Sequence, residues 1–120
     1  MARYGSLKYL TLTTAAADTS TAGFRLPPGA RAIIVTAPAL TTDTAFTIES
    51  LDPTTQEGGT EVWATLNAYD LIDGTNKALT DIPDNATTMI FPLWGPQIIR
   101  LTFATAQAAT FQVQILGDHE

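Results

Sequence analysis

The chain has no cysteine, one histidine and only six basic residues in 120. Without cysteine there are no disulfide staples, no thiolate metal sites and no cysteine nucleophile, which suits assembly in a reducing cytoplasm. The one imidazole, His119, is the second-last residue. Termini fray and a catalytic group must be held, so neither a serine triad nor a paired-histidine metal site is expected. The Lys and Arg residues are scattered and the net charge is -6. Phosphate binding needs clustered cations, so nucleic acid and anionic membranes are not expected as partners. No stretch approaches the roughly 20 apolar residues that a membrane helix needs. Residues Met1 to Leu12 alternate in character, so a secretory signal is not expected either.

Charge of both signs is scarce, at 15% of residues against roughly 25% in ordinary soluble proteins. What covers the surface instead is threonine, with 21 copies, beside Ser, Gln and Asn. Two readings stand side by side. A charge-poor, Thr-covered surface suits a protein packed against copies of itself or a partner, and Thr also favours strands through its branched side chain. The length supports one core, not two. Residues 1–5 read as an N-terminal arm, 6–117 as the folded domain and 118–120 as a tail.

Hydrophobic alternation carries the fold class. Strand side chains alternate faces with a period of two, so each half-buried strand shows an apolar and a wetter side. From Pro96 to Gly117 the chain writes two facing strands: Ile99, Leu101 and Phe103 on one face of the first, Phe111, Val113 and Ile115 on one face of the second. Ser6 to Thr13, Phe24 to Leu26 and Ala45 to Leu51 read the same way, the last burying Phe46 and Ile48. Arg31 to Ala37 is apolar on both faces, which predicts a central strand covered on each side. Glu61 to Leu66, Ala68 to Ile72 and Met89 to Leu93 complete the strands. Pro27-Pro28-Gly29, Asp52-Pro53, Gln56 to Gly59, Asp73-Gly74 and Trp94-Gly95-Pro96 mark breaks. Thr75 to Ala86 reads as a long connection. Seven to nine short strands, with no helix between them, predict a single antiparallel β-sandwich or jelly-roll-like domain.

Catalytic equipment is thin. Asp70, Asp73 and Asn76 around Gly74 offer oxygens of the kind calcium takes, but their spacing does not match an EF-hand loop, and turn chemistry explains them. Asp81, Asp84 and Asn85 read the same way. Glu49, Glu57 and Glu61 could pair as in a glycosidase, yet any chain with 12 acidic residues offers such pairs. No enzyme activity, cofactor or metal is expected. Trp63 suits core packing, and Trp94 suits either a core or an interface. Arg25, Arg31 and Arg100 lie on strands or strand entrances with few charges nearby, so each is expected to pair with a carboxylate, within the chain or across a subunit boundary.

The runs FRLPPGARAIIV from Phe24 to Val35 and ALTTDTAFTI from Ala39 to Ile48 resemble small β-sandwich structural proteins of tailed bacteriophages. The runs QIIRLTFA from Gln97 to Ala104 and ATFQVQILG from Ala109 to Gly117 share that resemblance, which is one of style and spacing. It implies a capsid decoration (cement) protein: a homotrimer on the capsid surface, bound to the major capsid protein and assembled in the host cytoplasm. An N-terminal arm often reaches onto the shell in such proteins, and Met1 to Tyr4 would be its counterpart. The residues expected at a partner interface are Arg3, Tyr4, Arg25, Trp94 and Arg100. A head–tail or tail-surface virion protein is the nearest alternative. A carbohydrate-binding module stacking sugars on Trp63, Trp94 and Tyr69 is the alternative of another class.

Overall fold

The computed structural model describes residues 3–55, 60–70, 72–91, 93 and 97–119. Eleven strands are formed among them: β1 (Arg3–Thr13), β2 (Phe24–Arg25), β3 (Ala30–Thr36), β4 (Ala45–Leu51), β5 (Trp63–Thr65), β6 (Asn67–Asp70), β7 (Thr75–Ala78), β8 (Ile82–Pro83), β9 (Thr87–Ile90), β10 (Ile98–Thr102) and β11 (Thr110–His119). Nine of them have three residues or more, the upper end of the expected range. A 3-10 turn, Pro53–Thr55, follows β4.

These strands make an antiparallel sandwich. The first sheet runs β1-β11-β3-β9 and the second β2-β10-β4-β5, with β8 also pairing β4, and β6 and β7 form a separate ribbon. β8 and β5 share one long edge of β4: β8 lies beside Ala45 and Phe46, β5 beside Glu49 to Leu51.

The core is the meeting of the two alternating faces. Ile33, Val35, Phe111, Val113 and Ile115 come from the first sheet; Phe46, Ile48, Ile99 and Leu101 come from the second, and all are almost fully buried. The two closing strands do face each other, but from opposite layers: β10 pairs β2 and β4, whereas β11 pairs β1 and β3. Phe111 joins the layers, its ring centroid 5.3 Å from Phe46 in an edge-on contact and 6.2 Å from Phe103 in a stacked one.

Loops at one end are stitched by short polar side chains. The Asp43 carboxylate accepts from the Thr105 backbone N–H at 2.9 Å, and Gln107 Oε1 accepts from the Thr41 N–H. Asp84 accepts from the Leu40 N–H at 2.9 Å. Thr14 and Thr21 are buried, and each hydroxyl bonds to the backbone. Buried polar groups without partners are costly, so these bonds allow the loops to close over the core.

Several expectations are corrected. The arm at 1–5 is strand from Arg3 onward, because the β1–β11 ladder continues to Arg3↔His119 and satisfies both backbones to their ends. The same pairing takes residues 118 and 119 out of the expected tail. The connection at 75–86 contains β7 and β8. β3 is central, but its two faces are not covered alike: Ile33 and Val35 are buried on one, while on the other Ala32 is buried, Ile34 half-buried and Thr36 exposed. The corner Trp94-Gly95-Pro96 and the loop 56–59 lie outside the described residues.

Candidate interaction surface

The outer face of the second sheet gathers two of the residues expected at an interface. Alternation along β10 sends Ile99 and Leu101 inward, so Ile98, Arg100 and Thr102 face out. Arg25 lies opposite Ile98 across the β2–β10 pair and therefore shares that outer face with Arg100. Glu49 lies opposite Arg100 across the β10–β4 pair, and Thr65 of β5 lies opposite Glu49. Strand order β2-β10-β4-β5 thus sets an arginine, an ion pair and the end of β5 side by side.

Arg100 is held from two directions. Its Nε donates to Glu49 Oε1 at 2.8 Å, with the two side chains 27% and 20% exposed. Its guanidinium carbon stands 4.3 Å from the centre of the Trp63 ring, a cation–π contact. Trp63 in turn needs Gly23: a methyl there would lie 2.9 Å from the indole Cη2 and 3.0 Å from Ile98 Cγ2. The indole is therefore wedged, half-buried, between Gly23, Ile98 and the guanidinium of Arg100. That arrangement differs from the core site expected for Trp63. One ring face is already occupied by the guanidinium.

The remaining expected residues are dispersed. Arg3 and Tyr4 sit in β1 at the opposite sheet, opposite His119 and Asp118. Trp94 lies outside the described residues, as does Glu57. Arg31 pairs within the chain, its Nη2 3.0 Å from Asp118 Oδ2, and both side chains are substantially exposed. Asp73 pairs with Lys77 across the ribbon turn. Among the described residues no group of three or more acidic, His or Cys side chains could hold a metal ion. The Asp52 carboxyl is held below the ordinary aspartate value by hydrogen bonds from the Thr54 hydroxyl and then from its backbone N–H.

A second surface was not anticipated. The β6–β7 ribbon stands out from the sandwich with β7 exposed along its whole length. Beside it runs a groove of about 450 Å³, walled by Tyr69, Leu79, Ile82, Met89, Ile90 and Phe91 among others. Tyr69 is 38%, Met89 53% and Phe91 50% exposed, and Ile72 at the ribbon tip is almost fully so. In the sequence, Met89 and Phe91 merely completed an apolar strand. Nothing in it told that their side chains point away from the core.

No family model matches this chain, and neither a curated protein nor a solved structure does.

Proposed function

We propose that this chain is a virion structural protein, and specifically a capsid decoration (cement) protein that stabilises a phage head by bridging capsid subunits. The observation that supports it is the concentration of exposed apolar side chains around the β6–β7 ribbon and β9, on a β-sandwich otherwise poor in charge. Contiguous apolar surface of that kind marks a site of contact with another macromolecule. The partner in this reading is the major capsid protein, with the chain assembled as a homo-oligomer. A trimer would fit threefold lattice points. Neither nucleic acid nor a membrane is a partner, and no catalysis is involved.

The physical action is mass action. A ligand that binds the assembled shell and not its dissociated subunits stabilises the shell. Each copy contributes apolar burial at roughly 25 cal/mol per Å², less the cost of association. Many symmetric copies multiply a modest contact.

Co-sedimentation of the purified chain with undecorated heads of the phage that encodes it tests the proposal. Saturable binding and a raised dissociation temperature of the heads are expected. A chain that stays in the supernatant at every concentration would remove the reading. Binding confined to one vertex would move it to the head–tail alternative.

A further inference from the structure

The sandwich has open sheet edges, and all but one of them carry a guard against pairing with another chain. β1, at one end of the first sheet, carries Lys8 and a register shift between Ser6 and Lys8. β2 and β5, at the ends of the second sheet, are only two and three residues long. The projecting ribbon carries Lys77. A charge, a bulge or extreme shortness are the usual ways in which proteins blunt an edge. β9 has none of them. It pairs with β3 in unbroken register, it contains neither charge nor proline, and its outer edge meets no strand among the described residues.

The backbone groups on that edge can be assigned. Ala37 donates to the Ala86 carbonyl at 3.0 Å, which makes 37 and 86 a hydrogen-bonded pair. Bonded and non-bonded pairs alternate along an antiparallel ladder, so Thr88 and Ile90 turn their N–H and C=O toward β3. Thr87 and Met89 then turn theirs outward. The side chains of Thr87, Met89 and Phe91 are exposed, while Ile90 is buried.

We infer that the outer edge of β9 is a two-fold contact between copies of this chain, with β9 of one copy antiparallel to β9 of the next. The segment from Thr87 to Phe91 is self-complementary in that arrangement. Met89 faces Met89, and Thr87 faces Phe91 on each side, so every outward N–H and C=O of Thr87 and Met89 finds a partner. An aromatic opposite a β-branched residue is a favourable cross-strand pair. Charge also favours a second copy as the occupant. A chain of net charge -6 keeps all its like charges off these five residues, so the seam brings no repulsion with it. The joined first sheets become one continuous sheet, and the seam crosses the mouth of the groove beside β9. Such a contact buries less than the roughly 1,200 Å² of a standard stable interface, so the pairing is reversible in solution. A two-fold seam leaves threefold contacts to other surfaces, and it does not depend on the capsid reading.

The absence of cysteine makes the test clean. Met89→Cys places one thiol per chain on the two-fold axis, where the antiparallel Cα spacing of about 5.5 Å falls in the range a disulfide spans. Mild oxidation should give a covalent pair that reductant reverses, whereas Tyr9→Cys on the guarded edge should not. Sedimentation velocity of the cysteine-free chain should show its mass doubling with rising concentration. Met89→Lys, a change at an exposed side chain, should abolish the doubling with the circular dichroism and Tm unchanged. A mass constant across concentration would overturn the inference, as would equal cross-linking of both cysteine variants or doubling that survives Met89→Lys. Loss of head binding with the doubling intact would sink the capsid reading and leave the seam standing.

Discussion

Replacing Phe111 with alanine removes the side chain that locks the two sheets together. The ring is fully buried and touches Phe46 and Phe103, both across the layer boundary, with centroids 5.3 and 6.2 Å away. Burial loss and residual cavity for a Phe→Ala change in a core together cost about 3–5 kcal/mol. Each aromatic pair adds about 0.5–1.5 kcal/mol beyond area, which places this site near 5 kcal/mol. Domains of this size are stable by only about 5–15 kcal/mol, so a third or more of the total is lost. The Tm should fall by about 15–20 °C, at roughly 4 °C per kcal/mol for this length. Urea unfolding followed by tryptophan fluorescence measures the change, with the m-value unaltered because the same surface is exposed on unfolding. Phe91→Ala, at a half-exposed ring, should change stability by less than about 0.5 kcal/mol. A Phe111→Ala loss below about 1 kcal/mol, or one matched by Phe91→Ala, would refute the two-layer core.

Gly117→Ala should destabilise by about 3 kcal/mol, the upper end for overpacking, because its methyl would lie 2.1 Å from the Gly29 carbonyl oxygen; thermal denaturation reads it, and a neutral result would contradict the close β11–β3 approach. The Arg100–Glu49 pair, about three-quarters buried, should show a coupling of about 1 kcal/mol in a double-mutant cycle of Arg100→Met and Glu49→Gln, weakening in salt. Trp63 fluorescence should shift in Arg100→Met as its ring face opens to water. Asp52 should titrate below the ordinary aspartate range in the folded chain, so its hydrogen bonds stabilise the loop at higher pH and that contribution is lost as pH falls through the depressed value. Thr54→Ala should move the midpoint, read by carboxyl NMR, part of the way back.

Where alternation was strong, the sequence was enough. β4 matched its expected bounds, and β10 and β11 buried the expected side chains, since a period of two with apolar residues on one face has few other solutions. β7 was missed because Thr75 to Ala78 is exposed on both sides and carries no alternation. Its strand character comes from pairing Asn67–Asp70 across the Asp73-Gly74 turn. Ile34 misled because a β-branched run looks the same whether a second layer covers it or not. The surface was less legible still. Arg25 and Arg100 are 75 positions apart, and only the order β2-β10-β4 sets them on one face. The open edge of β9 is likewise a property of strand order, which local pattern does not encode.

The central claim is that this protein works by laying a sheet-built surface against neighbouring subunits. Electron cryomicroscopy of heads saturated with the chain tests it most directly. Density for the sandwich at regular lattice points, with the β6–β7 ribbon and β9 turned toward neighbouring protein, is the predicted result. Bare heads beside free, solitary chain would contradict it.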